Sequence, residues 1–493
     1  MSLFRRSFST HFQTLTMHTH PRVTLRHTPR LLLQAASLSL SLSLSLSLSL
    51  SLSLGMAGVL APAALPAQVV IPTAAQSQPV VLKGATIHTV TKGVIENGVI
   101  VMDKGKILAI GGADVAVPRG AKVVDVSGKH IYPGLIDAYS TVGISEIGAV
   151  DVSNDVNELG DFNPNVRAEV AVNAESRHIG TTRSAGVLVA FSTPGGGVIS
   201  GLSSAISLEG WTWEEMSMKG AAALNVNWPD PNARPRRFGG PPPGGPGGRG
   251  APPAPKTYAE QVEEIRNFFG EARAYRDALK SGQTVRTDTR YAAMIPALNG
   301  EIPVVVAAEG VAQINDALTW AKQEGIKLVI RGGRDAIHVA ARLKADQVPV
   351  ILTSTMSAPP RSDDGYDEAY STPTALYKAG VKFAIAGEGN ALYSYRLPWD
   401  AGVAVAFGLP EEEALKAVTI NAAEFMGIAD KVGSLEVGKE ATLLITTGTP
   451  LDMTTNIIQS YIQGREIDMN DMQKQFFKKY MEKINQAKKK IAS

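Results

Sequence analysis

Five apolar runs of strand length, separated by segments long enough for helices, constrain this chain more than any other feature. They occupy 186–193, 302–309, 326–333, 348–355 and 381–388. Between them, 310–325 and 334–346 place apolar residues at helical spacing. Strands that are apolar on both faces and alternate with helices require a parallel sheet covered on both sides. A doubly wound sheet and a (β/α)8 barrel both satisfy that requirement. With 493 residues and 44% apolar content the chain can bury a large core. It has room for one barrel with an accessory domain, or for two to four smaller units.

The flanks read differently. Short β segments broken by turn residues (Asn97-Gly98, Lys104-Gly105, Gly111-Gly112) fill 79–130, and similar segments return at 431–468. β pieces at both ends of an α/β middle, 131–430, imply one composite β-sandwich built from the two ends of the chain. Within the middle, 236–255 is almost all Gly, Pro and Arg and cannot bury a core, so a disordered insertion is expected there. Residues 469–493 form a basic amphipathic helix with Phe476, Tyr480, Ile484 and Ile491 on one face.

The first 67 residues carry five arginines and no acid. An Arg/His-rich start, nine Ser-Leu pairs from Ser37 to Leu54 and a small-residue stretch near Ala63 and Ala67 follow the order of a secretory leader. The expectation is export to the periplasm or outside the cell, with a small-residue linker at 68–78. An uncleaved membrane anchor is the alternative. The formal charge of +2 comes from that leader, and without its arginines the remainder stands at about −3, which gives nucleic-acid binding no electrostatic support. Cysteine is absent, so disulfides and thiolate chemistry are excluded. There is no Gly-x-Ser-x-Gly elbow and no phosphate-binding Gly-Lys-Ser/Thr loop.

Two long phrases carry a family resemblance. "GKHIYPGLIDAYS" (128–140) resembles the crossing from sandwich to barrel in the amidohydrolase superfamily, and "TINAAEFMGIADKVGSLEVGKEATLLI" (419–445) resembles its return, with Ala422 and Thr442 at positions that usually hold Pro and Asp. The nearest branch is the imidazolonepropionase-like amidohydrolases. The resemblance implies a distorted TIM barrel with a composite β-sandwich, and hydrolysis of non-peptide C–N bonds by a metal-activated water. It also implies ligands that this chain lacks. The first barrel strand should end in His-x-His, where Tyr139 and Thr141 stand. A histidine of the fifth strand is replaced by Ala307, with Glu309 two residues on. Gly332 takes the place of a sixth-strand histidine, beside Arg331, and Glu388 takes that of the eighth-strand aspartate.

A histidine census agrees. Of eight histidines, four (His11, His18, His20, His27) lie in the leader, and His88, His130, His178 and His338 lie away from the expected C-terminal strand ends, where TIM-barrel active sites gather. Zinc lowers the pKa of water from about 15.7 to about 7, equivalent to about 12 kcal/mol of nucleophile activation. A positioned carboxylate base supplies about 3–5 kcal/mol, so Glu388 alone does not replace the ion.

The expectation is therefore an exported amidohydrolase-family protein without its usual metal. It is weakly active or a pseudoenzyme, with Glu388 and Asp137 as the catalytic candidates and Tyr139, Thr141, Glu309 and Arg331 lining the pocket. Such a chain binds a small molecule in the barrel mouth and forms a homo-oligomer, or pairs with an active paralogue. One alternative is an active hydrolase with Mg²⁺ or Mn²⁺ at a carboxylate site; another is a membrane-associated binding or scaffold protein.

Overall fold

The computed structural model describes residues 71–232, 256–353 and 355–492. The expected leader and the whole Gly/Pro insertion, 236–255, lie outside the described residues. Along the chain, strands β1 (Val80–His88), β2 (Val94–Asp103), β3 (Lys106–Gly111), β4 (Lys122–Asp125) and β5 (His130–Pro133) come first. The barrel strands follow: β6 (Leu135–Ser140), β7 (Val187–Ser192), β8 (Ile199–Ser207), β9 (Ser217–Asn227), β10 (Val304–Ala308), β11 (Leu328–Gly332), β12 (Val350–Leu352) and β13 (Phe383–Ile385). Strands β14 (Leu443–Thr446), β15 (Ile457–Ile462) and β16 (Arg465–Glu466) return to the first sheet. Its order is β16-β15-β14-β5-β1-β2-β3, with β4 also paired to β1. The antiparallel β5–β14 pairing, Ile131 opposite Ile445, joins the two ends of the chain.

The barrel sheet runs β13-β12-β11-β10-β9-β8-β7-β6, eight strands and nearly closed. Its helices are α1 (Arg177–Ser184), α2 (Tyr258–Lys280), α3 (Thr289–Leu298), α4 (Val311–Glu324), α5 (Ala340–Ala345), α6 (Glu368–Ala379), α7 (Leu397–Ala406), α8 (Glu411–Ala417) and α9 (Ile420–Phe425). Local chemistry fixes their ends. Thr257 and Glu260 form a reciprocal capping box at the start of α2. Gln313 reaches back to the amides of Glu309 and Gly310 at the start of α4.

One strand departs from the all-parallel expectation. β8 is antiparallel to both β7 and β9. Residues 193–198 and 208–216 are too short for a crossover, which takes about a dozen or more residues, so the chain must reverse twice. β7 and β9 therefore still point the same way, and the mouth keeps its set of C-terminal strand ends.

Two layers of core follow from strand alternation. One set of side chains faces the helices, where Trp320 is fully buried with Phe269 edge-on to it at 4.9 Å. The other set fills the lumen with Ile136, Ala138, Val189, Val305, Val329 and Ile351. Ala422, Ala423 and Met426 join that lumen cluster. Asn421 anchors their segment to the barrel by donating to the Phe383 carbonyl at 2.8 Å, so the return phrase works as a structural plug.

Candidate functional site at the barrel mouth

Residues one alternation beyond the lumen layer line the mouth. Val329 faces the lumen, so Arg331 two residues on emerges above it. β11 and β6 are not neighbours in the sheet, yet the Arg331 guanidinium lies 4.1 Å from the Tyr139 ring centroid. The side chain thus spans the mouth. Its Nη2 donates to Asn227 Oδ1 at 2.9 Å, and Asn227 Nδ2 donates to the carbonyl of Gly197 at 3.0 Å. No carboxylate forms an ion pair with Arg331 among the described residues. The other side of Tyr139 is set by Gly389, at φ +70°, where an added Cβ would fall 2.2 Å from the ring.

Asp137 is fully buried at the seam between the barrel edges β6 and β13. Its Oδ1 accepts from the amides of Gly387 at 3.0 Å and Tyr139 at 3.2 Å. Oδ2 is buried with no hydrogen-bond partner among the described residues. Burial pushes its carboxyl up to about 6, against the pull of those two amides and the nearby Ser394 hydroxyl. That hydroxyl shares a hydrogen bond with Ser140 at 2.7 Å. Thr141 is also committed: its hydroxyl accepts from the Ala391 amide at 2.9 Å. Glu388 is partly exposed and pairs with Arg396 at 3.2 Å.

Sequence reasoning missed Asp400, in the first turn of α7. It is 4% exposed, and burial, reinforced by the charges of Asp137 and Glu388, pushes it up to about 7 against the opposing Arg396. The available signal was a lone acid in the apolar run "LPWDAGVAVA".

Glu309 follows the end of β10. Its carboxylate folds against Gly332 and accepts from the Arg334 amide at 3.1 Å. It borders a cavity of about 280 Å³ between the ends of β11 and β12, with Leu352, Thr353 and Thr355. Arg361 rims that region by gripping Asp335 with two bonds of 2.9 Å. A larger cavity of about 670 Å³, near Lys219, Lys327 and Lys382, opens at the opposite end, the face that serves stability in such barrels.

The donors do not fit a shared divalent ion. Among the described residues, no group of three or more His, Asp or Glu is placed to hold a metal. His88 and His130 contact each other in the sandwich sheet at 3.1 Å, and His178 bonds the Glu146 carbonyl at 2.9 Å. His338 lies in a short 3-10 turn.

The barrel, its plug and the composite sandwich define an amidohydrolase-type scaffold. Residues 248–474 match the Amidohydrolase family. Amidohydrolase tasK of Hapsidospora irregularis is 23% identical over 404 residues, covering 74% of this chain and 39% of that protein. The imidazolonepropionase of Brucella anthropi is 30% identical over 149 residues, 29% of this chain and 35% of that protein. These matches span well under half the length of either relative. A crystal structure of an amidohydrolase from Thermotoga maritima MSB8 superposes with a TM-score of 0.69 at 25% identity, covering 79% of this chain and 99% of that one. The chain is similar to amidohydrolases in sequence and in fold, and its local similarity includes imidazolonepropionases.

Proposed function

We propose that this barrel has exchanged metal-water hydrolysis for binding of a small anionic molecule at its mouth, and retains weak hydrolase activity or none. One observation carries the reading. The Arg331 guanidinium rests on Tyr139, at the strand end where the family resemblance expects metal-binding histidines. A fixed cation there opposes a metal cation, since two unit charges 4 Å apart interact by about 4 kcal/mol in partly wet surroundings. The same cation, held by Asn227 and lacking a carboxylate partner among the described residues, suits a ligand carboxylate or phosphate. Export is part of the reading, supported by the leader-like order of residues 1–67.

A second reading has its own observation. Asp137 at about 6 and Asp400 at about 7 are buried acids poised near neutral pH, as general acids and bases often are. That arrangement favours residual C–N hydrolysis through carboxylates.

Thermal-shift titration with small carboxylates and phosphates, on the wild-type chain and Arg331→Met, tests the proposal. Stabilisation of the wild type that disappears in Arg331→Met supports it. Chelator-sensitive hydrolysis of C–N substrates, with no anion response, overturns it.

A further inference from the structure

The last helix, α10 (Met472–Ala492), is held at its base by side-chain contacts. Gln473 contacts Thr181 at 3.1 Å, Met472 approaches Arg177, and Asp471 bonds Ser184 and the Lys474 amide. From Phe476 to Lys490 every residue is exposed. Among them Phe477 is 67% and Tyr480 54% exposed, with Phe476, Met481 and Ile484 also uncovered. At about 100° per residue, Phe476, Phe477, Tyr480, Met481 and Ile484 fall on one face. Most of the stability of an amphipathic helix in a protein comes from packing its apolar face. The sequence therefore calls for something to cover it.

Charge says what. The helix holds seven lysines against one acid, Glu482. Lys479 and Lys483 flank the apolar face on one side, and Lys474 and Lys478 lie on the other. An apolar face edged by lysines matches a helix lying in a lipid interface, with aromatic rings among the acyl chains and ammonium groups at the phosphates. A protein groove would need no such surplus of one sign. Among the described residues no helix is long and apolar enough to cross a membrane, so α10 would lie along the surface. We infer that α10 docks this protein on an anionic phospholipid surface, with Phe476, Phe477, Tyr480 and Ile484 inserted and the flanking lysines on the lipid phosphates. This inference is independent of what the barrel mouth binds.

The test is vesicle co-sedimentation of the full processed chain, with phosphatidylcholine vesicles containing or lacking phosphatidylglycerol. Binding should require phosphatidylglycerol and weaken as salt rises. Lys479→Glu with Lys483→Glu should lower partitioning at least tenfold, given about fivefold for each lysine charge removed. Phe477→Ser with Tyr480→Ser should weaken binding in both low and high salt. These positions are exposed, so circular dichroism and melting temperature should stay near wild type. Equal binding to both vesicle types, or no loss in the lysine variant, would overturn the inference. So would light scattering that shows a dimer dispersed by Phe477→Ser, because the face would then be covered by a second copy.

Discussion

Replacing Asp137 by Asn should change how stability depends on pH, by an amount the site sets. Asp137 is fully buried, and burial raises its carboxyl from the ordinary value near 3.8 to about 6. Between those values the folded chain holds a proton that the unfolded chain has released. Stability from this group is therefore present below the unfolded value and falls as pH rises through about 6. The neutral amide in Asp137→Asn would mimic the protonated acid and remove that dependence. From pH 4.5 upward about 1.5 pH units of the window remain, which at about 1.36 kcal/mol each gives about 2 kcal/mol. In a fold of roughly 400 described residues, an unfolding entropy of about 2.1 cal/mol/K per residue turns this into about 2 °C. Scanning calorimetry of wild type and Asp137→Asn at pH 4.5 and pH 8 reads it directly. The variant's melting temperature, relative to wild type, should be about 2 °C more favourable at pH 8 than at pH 4.5. An identical difference at both pH values would refute the claim that burial raises the Asp137 carboxyl to about 6.

Asp400→Asn should act in the same direction, and its effect should shrink in the Asp137→Asn background, because the Asp137 charge helps to raise Asp400; the double variant's melting curve checks this. Gly389→Ala should destabilise by about 1–3 kcal/mol, through a left-handed backbone and a Cβ driven into the Tyr139 ring; thermal denaturation reads it. Glu209→Gln should lower stability by about 3–5 kcal/mol, because Arg183, 3% exposed, loses its buried partner. Glu209→Ala should in addition free Thr73, whose amide donates to Glu209 Oε1 at 2.8 Å, and limited proteolysis near residues 71–79 should speed up.

The fold was legible where burial on both faces leaves a continuous apolar run, as in β7, β10 and β11. It was illegible at β8. That strand is buried at every position, yet it carries Ser200, Ser203, Ser204 and Ser207, so it lacks the apolar signature of a central strand. Several of these serines are satisfied locally, Ser204 by Glu169 and the Gly220 carbonyl, and Ser203 by the Ala223 carbonyl. No periodicity rule reports such pairing.

At the mouth, Tyr139 and Arg331 could be placed by register, because alternate residues of a strand share a face. Their contact across the lumen could not be. It depends on the barrel's diameter and on Gly389 leaving room for the ring. Glu309 could be placed at a strand end by register, but its contact with Gly332 and the cavity it borders could not. Asp400 stayed hidden because it reaches the site from α7, where an acid in a first turn ordinarily serves the helix dipole.

Metal content of the chain, purified without chelator and measured by elemental analysis, tests the central claim most directly. With a guanidinium over Tyr139 at the barrel mouth, the proposal expects zinc, manganese and magnesium all far below one ion per chain. Added zinc should then leave the melting temperature unchanged. One or two ions per chain, lost in Asp137→Asn or Glu388→Gln together with a C–N hydrolase activity, would contradict the account.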